Sequence, residues 1–539
     1  MSADDGGLTR REVVRAGGAA AAGALAGAGA AWAATTGRAV VDVTKPTSPF
    51  PHVWQRAVGG DWAKQALRRD YQDHLVDAHR DLGVESLRFH DVFNSAMSVD
   101  APTVPLGPIS LPRPAAFTRD PYSFFNVDQI YDFLVEHGMH PFVELSSMPD
   151  ALAATPSAPR IFLYRFNSAE PADYAEWGRL VGAFARHMVD RYGIGEVAGW
   201  PFEVWNEPNI PFFAGNEDAY FLLYRHAAEA IKGVDARLQV GGPATSAGQL
   251  SLGEPRAPGP EYYRRFMERV KAANVPIDFG SAHGYETDTG AGPDGAATFF
   301  KRNRADTPAG LPLYITETNV STTLGDPRLD NADAAAGFLK TIIETVGVVD
   351  ALSFWAFTDI FEEFTQPDNP FSGSFGLQTI HGIKKPSYRL LQILRDVGTR
   401  RVPLTLTGAP AGAGGIGVKG GRRGGLDVLL YNHAIPSGRE GTAATPAQPA
   451  RLTVVLRGLE ARGARARIHR IDADHANPYR EWVELGRPEY PTRRQLRRID
   501  EASELVDEPL KLERDRATGD ATFTVDLPAE SVIAAHITR

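Results

Sequence analysis

Two glutamates, Glu207 and Glu317, each close a short apolar run: Gly199-Trp200-Pro201-Phe202-Glu203-Val204-Trp205-Asn206-Glu207-Pro208-Asn209 and Leu311-Pro312-Leu313-Tyr314-Ile315-Thr316-Glu317-Thr318-Asn319. Alternating aromatic and β-branched residues ending at a polar group read as half-buried strands that deliver a carboxylate to their C-terminal ends. Taken singly, such a glutamate usually caps the helix that follows. Taken together, far apart in the chain, the two converge only in a fold that gathers strand ends around one centre, as a parallel (β/α) barrel does. Paired carboxylates carry out glycoside hydrolysis, one protonating the leaving oxygen and the other attacking the anomeric carbon or activating water.

Other stretches with the same look are Arg88-Phe89-His90, Val240-Gly241-Gly242-Pro243-Ala244, His283-Gly284-Tyr285, and Phe354 through Glu363 running on to Gly382-Ile383-Lys384-Lys385-Pro386-Ser387-Tyr388. With the two glutamate runs they resemble family 39 of the glycoside hydrolases, the retaining β-xylosidases and α-L-iduronidases, over roughly residues 50 to 400. The Asn-Glu-Pro element is shared across the wider clan of (β/α)8 retaining enzymes. Asp359 to Glu363 and the Gly-Ile-Lys-Lys-Pro-Ser-Tyr run point to this family.

The resemblance implies roles. Glu207 matches the general acid/base and Glu317 the nucleophile. Asn206 matches the asparagine that hydrogen-bonds a sugar hydroxyl. His283 and Tyr285 resemble residues that orient the nucleophile, and Glu362 and Glu363 resemble a pair that binds sugar hydroxyls, of which one suffices. Arg88, at the end of a strand, is placed to hold Glu317 ionised. His90 and Trp355 are placed to touch the sugar, Trp355 by stacking. The chain departs from the xylosidase pattern at Phe371-Ser372-Gly373-Ser374-Phe375, where a bulky residue usually follows the first phenylalanine.

The elements that must position these residues alternate. Strand candidates are 52–58, 84–90, 139–145, 200–205, 238–242, 278–283, 313–317 and 351–357; between them lie amphipathic helical stretches such as 61–82, 127–137, 174–192, 217–234, 262–273 and 332–346. Eight strand-helix repeats are the α/β pattern of a (β/α)8 TIM barrel. Two long connections, 91–125 and 146–171, follow the second and third strands and are expected to rim the site.

After residue 400 the pattern changes to short strands, 426–432, 451–456, 464–471, 521–527 and 531–537, expected to form a C-terminal accessory β-sandwich. Residues 35–50 are expected to precede the barrel and to pair with that sandwich. The catalytic domain is thus placed at 35–400 and the accessory domain at 401–539. Within the latter, Thr492 is set to cap a helix whose Arg493, Arg494, Arg497 and Arg498 form a solvated face. Gly412-Ala413-Gly414-Gly415-Ile416-Gly417 matches a dinucleotide-binding pattern but follows no strong strand, and reads as linker.

Composition sets the outer bounds. Net charge is −9, which offers nothing to nucleic acid or an anionic membrane, and there are no cysteines, so disulfides and thiolate chemistry are excluded. No zinc-protease, serine-hydrolase or phosphate-loop motif occurs; no metal or cofactor is expected. Residues 1–34 carry paired arginines, Arg10-Arg11, before an Ala/Gly run, and resemble a twin-arginine export signal. Removal of that signal would leave a secreted, extracytoplasmic protein with no membrane attachment, acting on an oligosaccharide or glycoside. A homo-oligomer is left open. The enzymatic expectation is a retaining hydrolase of neutral β-glycosides working through a two-step glycosyl-enzyme mechanism, a xylan 1,4-β-xylosidase first. The alternative is an α-L-iduronidase-like enzyme or another neutral glycosidase of the same family, and the non-enzymatic one is a carbohydrate-binding protein on a degenerate barrel.

Overall fold

A computed structural model describes residues 35–99, 103–106, 109–112, 122–155, 159–247, 259–289, 295–422, 424–435 and 447–538. The export segment read in residues 1–34 lies outside them. Eight parallel strands close into a barrel in chain order: β1 (Val58–Trp62), β2 (Ser86–His90), β3 (His140–Leu145), β4 (Pro201–Val204), β5 (Gln239–Thr245), β6 (Phe279–His283), β7 (Leu313–Thr318) and β8 (Ala351–Phe354). The last closes onto the first through Phe354 and Val58. Helices Arg69–Leu82, Phe125–Glu136, Tyr174–Tyr192, Glu217–Val234, Gly259–Ala272, Ala332–Glu344 and Pro386–Asp396 surround it. They turn buried faces such as Trp177, Leu180, Val181, Phe184 and Met188 toward the strands. None of the helices among the described residues is long and apolar enough to cross a membrane.

The first strand departs from expectation. Residues 51–57 form turns, with the His52 carbonyl accepting from Gln55 N–H, and the strand begins only at Val58. Two glycines within it, Gly59 and Gly60, erase the usual strand signature, but packing requires them. A Cβ on Gly59 would come within 2.3 Å of the Trp355 ring, and one on Gly60 within 2.2 Å of the Tyr71 hydroxyl. The following helix is correspondingly shorter than the amphipathic pattern suggests, because Ala63–Leu67 is a 3-10 turn and Arg68 is extended.

The long connections carry small elements of their own. Thr103–Leu106 pairs antiparallel with Ile109–Pro112. Arg160–Ile161 pairs with Phe166–Asn167, with Phe162 and Arg165 at positive φ of 62° and 64° in the turn between them.

Beyond the barrel the chain forms two sheets. A five-stranded one contains Thr35–Asp42, which lies parallel to Ala450–Glu460 and antiparallel to Leu404–Thr407; a seven-stranded one contains Leu426–Asn432, Arg465–Ile471 and Ser531–Thr538. Residues 35–42 therefore do pair with the later strands. Ala39, Val41, Leu452 and Val454 from one sheet and Val428, Leu430, Ile533 and Ile537 from the other enter one apolar cluster. The glycine-rich run read as linker is a strand, Ala413–Lys419. Its glycines admit close neighbours, a Cβ at Gly414 falling 2.2 Å from Tyr431 and one at Gly417 falling 2.6 Å from Val41 and Val402. Thr492 caps helix Arg493–Glu501 through a reciprocal bond with Gln495, and the four arginines are exposed.

Candidate active site

The polar residues singled out in the sequence gather at the C-terminal ends of the strands. Arg88 and His90 end β2, Asn206 and Glu207 follow β4, His283 ends β6 with Tyr285 just beyond, Glu317 is the penultimate residue of β7, and Trp355 follows β8. Glu207 sits at a kink. Trp205 and Glu207 both adopt positive φ, 72° and 47°, a conformation that costs a non-glycine residue energy and is held here by surrounding contacts. The Trp205 indole N–H donates to the Phe212 carbonyl at 3.1 Å, and Glu207 N–H donates to the Ala244 carbonyl at 3.1 Å.

Glu317 is gripped at both oxygens. The Arg88 guanidinium donates to its Oε1 at 2.8 Å and the Tyr285 hydroxyl to its Oε2 at 2.7 Å. Burial and the neighbouring Glu317 carboxylate push the Tyr285 phenol well above its ordinary range, so it remains a donor. His283 Nδ1 lies 2.9 Å from Glu207 Oε1 and 3.5 Å from Glu317 Oε1. A carboxylate oxygen of Glu207, one of Glu317 and an imidazole nitrogen of His283 all lie within 4.8 Å of one another. Burial, together with Arg88 and His90, pushes the His283 pKa well below its ordinary value, so this ring is neutral.

Arg88 is the hub of the charge network. It is fully buried and meets Glu203 at 2.6 Å, Glu144 at 2.8 Å, Glu317 at 2.8 Å and Asn206 Oδ1 at 3.0 Å. Burial opposes its charge, but the three carboxylates outweigh that and raise its pKa. His90 stands in the same balance. Burial works against protonation, yet Glu144 at 2.7 Å and Glu363 at 3.3 Å hold its pKa well above the ordinary value, making it an imidazolium. Burial would likewise raise Glu144, but His90 and Arg88 hold it below its ordinary range. Glu203 and Glu363 are pushed up, chiefly by burial.

A cavity opens onto this network, lined on its polar side by His90, Asn206, Glu207, Tyr285, Glu317 and Glu363, with Trp355 and Phe375 beside them. Glu362 is absent from the lining. The Glu362 carboxylate accepts from the Trp62 indole at 3.0 Å while its N–H donates to Asp61 at 2.7 Å. Asp359, the first residue of the same run, is also turned away from the cavity. It is buried against Lys385 at 2.8 Å, which meets Asp330 at 2.6 Å. Lys384 is committed to Asp77 at 2.8 Å. No lysine or arginine side chain appears among the described residues lining the cavity.

Glu144 and Glu203 were not singled out as site residues. Both sit near the ends of apolar strands, the same signal that marks Glu207 and Glu317, and a search for every strand-end carboxylate would have found them. Phe162, Phe212 and Phe364, which also line the cavity, lie in loops where no periodicity marks them.

Residues 38–520 match the model of glycosyl hydrolases family 39. The chain belongs to this family. It is a glycosidase. Among characterised relatives, the Beta-xylosidase of Caldicellulosiruptor saccharolyticus is 37% identical over 503 residues, covering 90% of this chain and 95% of the relative. The Beta-xylosidase of Geobacillus stearothermophilus is 29% identical over 473 residues, covering 84% and 86%. Of solved family 39 structures, the enzyme from Xanthomonas axonopodis pv. citri superposes with a TM-score of 0.75 at 28% identity, covering 94% of this chain and 98% of that one. In this glycosidase, then, the paired carboxylates face a cavity lined by further carboxylate, imidazole, amide and aromatic side chains.

Proposed function

We propose that the protein is a retaining exo-acting glycosidase of neutral β-glycosides, β-xylosides first, with Glu317 as nucleophile and Glu207 as acid/base. The spacing of the two carboxylates carries this reading. One oxygen of each lies within 4.8 Å of the other, close to the separation of about 5–5.5 Å that direct attack requires and well short of the roughly 6.5–9.5 Å that leaves room for an intervening water. In the first step Glu317, held by Arg88 and Tyr285, attacks the anomeric carbon while protonated Glu207 gives its proton to the departing oxygen. A glycosyl ester on Glu317 results. Glu207 then takes a proton from water, which attacks the anomeric carbon, breaks its bond to the Glu317 carboxylate and releases the sugar with its configuration retained.

The neutral sugar follows from electrostatics. A buried uronate needs a cation within reach, and Lys384 and Lys385 are engaged elsewhere. Arg88 lies behind Glu317, already shared among three carboxylates, and the His90 imidazolium that lines the cavity is already paired with Glu144 and Glu363. The two β-xylosidase relatives cover most of the chain and support xylose as the first choice. We further read the two sheets as an accessory β-sandwich, on the strength of their shared core, and residues 1–34 as an export signal delivering the enzyme outside the cytoplasm.

The test is covalent trapping. A β-xyloside fluorinated beside the anomeric carbon and carrying an activated leaving group should leave a xylosyl adduct on the peptide containing Glu317, located by mass spectrometry. An adduct on another carboxylate, or a product of inverted configuration, would overturn the assignment.

A further inference from the structure

The glycone end of the cavity is closed. His90, Glu317, Glu363, Tyr285 and Trp355 are all buried there, so the departing half of the substrate must point outward past Glu207. That outward wall is made of phenylalanine. Phe162 has its ring centroid 5.0 Å from Phe212 and 5.7 Å from Phe364, at interplanar angles of 66° and 82°. Phe212 belongs to the loop that carries the acid, its carbonyl accepting from Trp205. The three rings thus join the loops after β3, β4 and β8.

Two observations mark this wall as a binding surface. Phe364 is 48% exposed and Leu163 62%, and both are among the few large apolar side chains left in solvent among the described residues. The wall is also braced. Leu163 N–H donates to the Glu363 carbonyl at 2.8 Å, the Tyr164 ring stacks on Trp62 at 4.7 Å, and Trp62 is bonded to Glu362. Phe162 is held at φ 62°, a region that a bulky residue adopts only when its surroundings enforce it.

A sugar can stack on such rings, but each hydroxyl it loses from water needs a new partner. On this side of the described lining the polar side chains are the hydroxyls of Ser246 and Thr322, with no charged side chain beyond Glu207. An apolar leaving group has no such requirement, and it covers the exposed edge of Phe364. We infer that the preferred leaving group is an apolar alcohol, aromatic or alicyclic, seated against Phe162, Phe212 and Phe364. The inference rests on the assignment of Glu207 and Glu317 above and adds the class of aglycone.

Leaving-group acidity must be separated from binding, so the test uses a matched pair: phenylethyl and tetrahydropyranylethyl β-xylosides, whose alcohols are alike in acidity and size and differ in polarity. Values of kcat/KM should favour the phenylethyl compound by about five- to tenfold, the equivalent of covering part of one aromatic ring. Phe364→Ser and Phe162→Asn, the latter chosen because asparagine accepts positive φ, should bring the ratio toward one, with melting temperatures reporting that each variant is folded. Equal rates on the pair, a preference for the polar compound, or a ratio unmoved in both variants would overturn the inference. Turnover of neither xyloside would instead count against xylose as the glycone, and the same pair built on whichever sugar is hydrolysed then decides the aglycone.

Discussion

His433 Nε2 lies 2.7 Å from Glu286 Oε2, and Glu286 directly follows Tyr285, the donor to Glu317. A residue just past the strand Leu426–Asn432 of the outer sheets thus holds the segment that aims a hydroxyl at the site. His433 Nδ1 meets Glu530 at 2.5 Å on its other side. Burial opposes its charge, yet the two carboxylates raise its pKa to about 10.

Stability should therefore depend on pH through this ring. A histidine pKa raised above its unfolded value of about 6.5 stabilises fully below that value, and the contribution fades as pH climbs toward the folded pKa. Asp333, pushed up to about 7 by burial and Glu530, costs stability as pH rises from about 4 to 7, below most of the range over which the imidazole deprotonates. His433→Gln should cost about 3 kcal/mol near neutral or slightly acidic pH, since it leaves two carboxylates without their cation. The gap in Tm between wild type and variant should close steadily from pH 7 to 10. A gap that stays constant over that range would show that His433 acts by packing alone.

Glu207→Ala should impair poor leaving groups far more than activated aryl glycosides, by about 10²–10⁴-fold for the former. Azide should restore turnover and yield a β-glycosyl azide from a β-glycoside. An α-configured product in the rescued reaction would contradict retention.

Glu362 and Glu363 should separate cleanly. Glu363, against His90 in the cavity, is expected to cost about 10- to 100-fold in kcat/KM when changed to alanine, the range of a hydrogen bond to a charged group. Glu362→Ala, which removes only the Trp62 bond, should stay within a few fold. Steady-state kinetics on one aryl glycoside decides the matter, and equal losses would return Glu362 to the site.

Lys385→Met should destabilise by about 3–5 kcal/mol, because Asp330 and Asp359 would be left buried with no cation. Adding Asp330→Asn and Asp359→Asn should recover much of it. Denaturant midpoints that fall further with each added change would show that the cluster is held by something other than charge pairing.

Much of the site was legible because barrel chemistry lies at strand ends, and strand ends are visible as apolar runs stopping at a polar residue. Arg88, Glu207 and Glu317 announce themselves in this way, whereas Asn206, His283 and Tyr285 are marked by the family resemblance. The first strand did not, since Gly59 and Gly60 are dictated by Trp355 and Tyr71, partners distant in sequence. His433 was equally hidden. Nothing local distinguishes a histidine that ends a sheet strand from one that reaches across to Glu286. The orientation of Glu362 against Glu363 depends on Asp61 and Trp62, and no spacing rule reports which neighbour of a pair turns inward.

Strand Thr35–Asp42 sits between Leu404–Thr407 and Ala450–Glu460, with Arg38 beside Thr407 on one side and Thr453 on the other. Synthesis delivers this strand before the barrel and its partners after it. Its backbone donors and acceptors must therefore wait, unpaired, while the entire barrel emerges, and contacts this distant in sequence are the slowest to form. The five-stranded sheet accordingly cannot be completed until residues beyond the barrel have emerged, and a nascent chain stopped after the barrel would carry an unpaired, strand-forming segment ahead of it.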